Sequence, residues 1–111
     1  MKYLTLLLLF FTIGSYSQYK DGISVVQFSA EFVKDNEISL KKFNDHNIHL
    51  FYLSKNQKHF DSEGIIYLPT VMLFYNGETI LKIESGVTLK LPEDTEKKLN
   101  NAIDKILEDK F

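Results

Sequence analysis

The sequence predicts an α/β sandwich. A mixed four-stranded sheet is flanked by helices in the order β-α-β-(α)-β-β-α. Three observations carry this. Val71 to Tyr75 is an unbroken apolar run followed directly by Asn76-Gly77. About twenty residues separate the first two β-rich segments, Ile23–Phe28 and Ile48–Leu53, enough for a right-handed parallel crossover. The C-terminal stretch repeats apolar residues at three and four, at Leu99, Ala102, Ile103, Ile106 and Leu107, which is one helical stripe laid on a sheet.

The hairpin is the clearest local signal. An apolar run without polar alternation means a strand covered on both faces, so the Val71–Tyr75 strand belongs inside the sheet. Asn-Gly suits a type I′ turn, which needs positive φ at both central residues. The return strand, about Glu78 to Ile83, carries Lys82 and is followed by Glu84, as suits an edge that discourages further pairing. Pro69 lacks an N–H and stands at the strand's start, and the Leu68-Pro69 bond is a candidate cis peptide.

The remaining elements follow in chain order. Ser29–Asn36 is predicted as a loop and Glu37–Asp45 as a short helix with a rough apolar face. The Leu50–Leu53 run predicts that the second strand is also buried on both faces. Gln57–Glu63 is predicted as a helical turn or two, ended by Gly64. Pro92 is predicted at the first position of the last helix, with Glu93, Asp94 and Glu96 at its positive end. The predicted spatial order of strands is second, first, third, fourth, with the hairpin antiparallel to the first pair.

Composition narrows the function. The chain has 111 residues, room for one domain, and a formal net charge of −2. It offers no basic field for nucleic acid. Every basic side chain other than histidine is lysine, so no guanidinium fork exists for bidentate anion binding. There is no cysteine, which excludes disulfides, thiolate catalysis, cysteine-held metals and a lipoprotein anchor.

Residues 1–17 read as a signal peptide. Lys2 supplies a positive start, Leu4–Ile13 an apolar core, and Ser15-Tyr16-Ser17 the small residues before a cut ahead of Gln18. The alternative is an uncleaved anchor, but the apolar run falls well short of the roughly twenty residues that span a bilayer. The exported domain would be residues 18–111, periplasmic or extracellular, with no stable membrane anchor.

Two blocks resemble the thioredoxin superfamily over roughly Ile23 to Leu107. Val25-Val26-Gln27-Phe28-Ser29-Ala30-Glu31-Phe32 is similar to the family's strand ending in Phe-Trp-Ala-Glu-Trp. Gly64-Ile65-Ile66-Tyr67-Leu68-Pro69-Thr70, running on to Asn76-Gly77-Glu78, is similar to its Gly-Ile, cis-proline, strand and Asn-Gly-Glu turn. Gly86 falls where the family has a glycine. The resemblance implies a truncated thioredoxin-like fold without the usual initial strand and helix, and with a first helix shorter by about two turns.

The departures decide the chemistry. Val33-Lys34-Asp35-Asn36 stands where the family has Cys-x-x-Cys, and Gln27 where it has a buried proton-accepting aspartate. Ser29 and Phe32 replace its two tryptophans. Thiol–disulfide exchange therefore has no attacking atom. A thiol–disulfide oxidoreductase label would describe the fold and not the activity. No catalytic residue, cofactor or metal ligand is assigned.

Other clusters have two readings each. Asp45, His46 and His49 are either a metal site or the turn before the second strand; two histidines without a third convergent ligand favour the turn. Glu31, Asp35 and Glu37 are either catalytic carboxylates or solvated loop charges. His59 reads as solvent-exposed. Tyr16, Tyr19, Tyr52, Tyr67 and Tyr75 read mainly as strand or rim packing. By the resemblance, Phe32, Val33, Leu68, Pro69, Gly86 and Val87 form a groove for an extended peptide or protein partner, although Phe32 and Val33 could equally fold into the core.

The leading function is a non-redox interaction module. An enzyme of another class, or a metal-binding protein on the same fold, stands as the alternative. The leader is directly testable: intact mass of the exported protein should begin at Gln18, and a mass retaining Met1–Ser17 refutes cleavage.

Overall fold

The computed structural model describes residues 18–110; the signal peptide expected over residues 1–17 lies outside them. Four strands form one sheet: β1 (Ile23–Ser29), β2 (Asn47–Tyr52), β3 (Thr70–Tyr75) and β4 (Glu78–Glu84). Their order is β2-β1-β3-β4. β1 and β2 are parallel, and β3 is antiparallel to both β1 and β4. Helix α1 (Leu53–Ser62) packs on one face and α2 (Thr95–Lys110) on the other.

The period of two in β1 and β3 divides the core into two layers. Val25, Val71, Leu73 and Ile83 meet Leu99, Ile103 and Ile106 of α2 on one face. Val26, Phe28, Met72 and Phe74 meet Phe60 of α1 on the other. The two central strands are thus buried on both sides, as the unbroken run in β3 requires. Asn76 and Gly77 have φ of 50° and 89°, the left-handed pair that a tight hairpin turn needs. The Leu68–Pro69 peptide is cis.

The crossover from β1 to β2 differs from expectation. The helix predicted over Glu37–Asp45 does not form, and the predicted Ser29–Asn36 loop contains a 3₁₀ segment, Glu31–Asn36. A second 3₁₀ turn, Lys41–Phe43, follows. The physical reason lies in β1. Gln27 is 1% exposed; its Nε2 donates to the Ile38 carbonyl at 2.8 Å, and its Oε1 accepts from the Ile38 N–H at 2.9 Å. Both backbone groups of Ile38 are thereby withdrawn from any helical ladder, and Glu37 is extended with φ −69° and ψ 150°.

β2 is also not buried on both faces. It is an edge strand, with Leu50 43% exposed. The apolar run misled because it spans two elements: Leu53 already belongs to α1. Phe51 owes its cover to rings, lying 4.7 Å from His59 and 5.7 Å from His49 in stacked pairs. His59 is therefore half-buried rather than free in solvent. Tyr19, ahead of β1, adds a further ring to Phe51, His59 and Phe74. Its hydroxyl donates to Glu63 Oε2 at 2.6 Å, and Lys20 Nζ lies 2.7 Å from the same oxygen. Burial, then the bond to Glu63, pushes the Tyr19 pKa up to about 12.

The helix ends follow capping chemistry. Gly64, with φ +64°, follows α1, and Lys82 Nζ donates to the carbonyls of Glu63 and Gly64 at 3.3 and 3.4 Å. α2 starts at Thr95, not at Pro92. The Thr95 N–H and hydroxyl both donate to the Pro92 carbonyl, closing a turn that delays the helix. Lys42 reaches back from the crossover to Glu96 at 2.8 Å.

Gln27→Asp should cost about 2 kcal/mol of unfolding free energy, since the shorter acceptor-only side chain leaves the Ile38 carbonyl unpaired. The buried carboxylate should also make the loss smaller in acid, because protonation removes the buried charge. Urea titration at neutral and acid pH measures both.

Candidate functional site

The register fixes which loops share an end. Phe28, Thr70 and Glu84 lie side by side across β1, β3 and β4. The segment after β1, the turn before β3 and the loop after β4 therefore leave the sheet at one end. These are the segments carrying the residues assigned to a groove. Three bonds tie them down: the Thr70 hydroxyl donates to the Tyr67 carbonyl at 2.6 Å, the Ser85 N–H to the Pro69 carbonyl at 3.2 Å, and Asn36 Nδ2 to the Leu89 carbonyl at 2.9 Å.

Within this end the six residues differ. Phe32 is 70% and Val87 87% exposed. Leu68 and Gly86 are half-buried and Pro69 is buried. Val33 is only 2% exposed, so of its two readings the core one applies: its side chain packs and offers no surface. The Val33 backbone, at φ −117° and ψ 16°, leaves regular helix there, which turns Phe32 outward and Val33 inward. Gly86 has φ +70°, a conformation that supports the short turn bearing Val87. Among the described residues, no hydrogen bond engages the backbone N–H or carbonyl of Leu68.

Three apolar residues at this end were not singled out from sequence as surface. Ile66 is 78% exposed, and Tyr67 and Leu89 are also open. Leu89 has φ +61°, unusual for a side chain of that size. The only sequence hint was that Ile66 and Tyr67 directly precede the Leu-Pro pair.

The other candidates resolve into structural roles. Ser29 is fully buried, and its hydroxyl donates to Glu37 Oε2 at 2.7 Å. Hydrogen bonding to Glu37, with burial and the charges of Glu37 and Glu31 adding, raises the Tyr52 phenol above its ordinary pKa. Glu31 and Asp35 are exposed on the 3₁₀ segment. The Ser29–Glu37 bond holds the crossover to the end of β1. Asp45 and His46 line a concavity of about 580 Å³ at the opposite end of the sheet. His49 instead stacks on Phe51, and its pKa is lowered by burial and then by His59. Among the described residues, no three His, Cys, Asp or Glu side chains converge as metal ligands.

No family model matches the chain, and no curated protein matches it. Solved structures do. The thioredoxin Mala s 13 of Malassezia sympodialis aligns with a TM-score of 0.60 at 17% identity, covering 78% of this chain and 82% of that one. A variant thioredoxin from Halobacterium salinarum aligns at 0.55 and 20% identity, covering 79% and 80%. A designed protein aligns at 0.57 and 18%, covering 86% of each chain. The fold is thioredoxin-like, and it carries no cysteine with which to perform thiol-redox chemistry.

Placing cysteines at Val33 and Asn36 should not create a reductase. The first thiol would be buried, the second would replace the Asn36 tie to Leu89, and Gln27 cannot take up a proton. Turnover of an insulin disulfide should stay on the order of a hundredfold or more below an ordinary thioredoxin, because a buried thiol stays protonated and unreachable. Comparable turnover would refute this account.

Proposed function

We propose that this chain is an exported, redox-inactive interaction module that receives an extended segment of a protein partner at the Leu68–Pro69 end of the sheet. The observation that carries this reading is the unengaged backbone of Leu68, on an end of the sheet that also bears the exposed apolar side chains of Phe32 and Val87. An extended segment adds one or two backbone hydrogen bonds to such a residue, and neighbouring apolar side chains cover its alternate residues. Ile66 and Tyr67 enlarge the apolar surface, while Pro69, Thr70 and Ser85 keep the turn rigid. The contact is short, so affinity of micromolar order or weaker is expected.

Export rests on the leader alone: a positive residue, an apolar core and Ser-x-Ser before Gln18. Tyr19 and Lys20 already pack into the folded body, so a cut after Ser17 leaves all described elements intact. The binding function needs no cofactor.

The test is capture of partners by the parent domain, by Phe32→Ala and by Val87→Asp, with folding checked by circular dichroism. Both sites are exposed, so the variants should fold. Recovery of a given partner should fall at least tenfold in both, as loss of a central apolar contact does. Folded variants that retain every partner of the parent would show that this end of the sheet is not the binding site.

A further inference from the structure

The two edges of the sheet are built differently. The outer edge, β4, carries Glu78, Lys82 and Glu84 and a register irregularity at Leu73/Phe74. Both devices discourage another strand from pairing. The other edge, β2, reads Asn-Ile-His-Leu-Phe-Tyr, with no lysine, acid, proline or irregularity. Among the described residues β2 pairs with β1 alone. Ile48 and Leu50, on the α2 side of the sheet, are 36% and 43% exposed. They border a cavity of about 330 Å³ that Gln27, Ile38 and Leu40 also line. His49 is the one titratable group on β2 besides Tyr52; its lowered pKa keeps the strand uncharged at neutral pH.

We propose that β2 is a self-association edge, pairing antiparallel with β2 of a second copy of this chain to make one eight-stranded sheet. The choice of occupant rests on symmetry and charge. Two copies related by a two-fold axis present the same strip to each other, and this strip is neutral in a chain of net charge −2. Setting Leu50 opposite its own copy puts Ile48 opposite Tyr52, so the exposed Ile48 and Leu50 and the half-buried Tyr52 meet on one face. The register holds over Asn47–Tyr52 alone, because Leu53 already begins α1. A six-residue strand is about 20 Å long. The interface is therefore smaller than a standard one, and a dissociation constant on the order of 100 µM is expected.

This surface lies on the sheet edge, away from Phe32, Leu68 and Val87, so its test is independent of the partner site. Sedimentation velocity of the full chain, and alongside it a chain beginning at Gln18, is measured from about 10 µM to about 1 mM, a range that brackets the expected constant. A monomer–dimer equilibrium is expected. Leu50→Lys, an exposed charge on the neutral edge, should weaken it at least tenfold, whereas Ile80→Lys on β4 should leave it unchanged. Monomers throughout in both chains, or a dimer indifferent to Leu50→Lys, would each overturn the proposal.

Discussion

A crossover without an α-helix has to find partners for its backbone outside itself. Helices satisfy their own N–H and carbonyl groups; the segment between β1 and β2 cannot. The side-chain amide of Gln27 meets this need by presenting a donor and an acceptor in the geometry of a second peptide group. Everything around it depends on that pairing. Ile38 is tied to β1, Glu37 is brought to Ser29, and Leu40 and Phe43 are delivered into the core beneath α2. A carboxylate at position 27 could accept from the Ile38 N–H but could not donate to its carbonyl. The glutamine amide therefore supplies the structural tie that lets a crossover without an α-helix close.

What the sequence made legible was the part governed by local rules. The Asn76-Gly77 turn, the doubly buried β3, the charged β4 and the apolar stripe of α2 each depend on neighbours a few positions away. The crossover and β2 depended on partners far along the chain. Nothing near Ile38 announces that Gln27, eleven residues earlier, will take both its backbone groups. The Leu50–Leu53 run looked like one buried strand because periodicity cannot see a strand ending and a helix beginning inside it. Phe51 is covered by Tyr19 and His59, from either side of it in the chain. The candidate site was half legible: the residues named by resemblance leave the sheet at one end, but the inward turn of Val33 and the left-handed backbone of Leu89 are conformations that composition does not encode.

At the end of β1, polar side chains have structural work. Ser29, Glu37 and Tyr52 form a group in which hydroxyl and phenol face one carboxylate. Ser29 is closed to solvent, so this group stiffens the loop rather than offering a nucleophile. The exposed surface beside it mixes the apolar Phe32 with the charged Glu31, Lys34 and Asp35.

Lys82 joins two functions that are usually separate. Its ammonium guards the β4 edge by charge and also donates to the Glu63 and Gly64 carbonyls beyond α1. Acylation of that one amine would neutralise the edge and withdraw charge-assisted donors from the helix end together. Solubility and local order are thus chemically coupled at a single nitrogen, and a reagent that titrates lysines would change both in step.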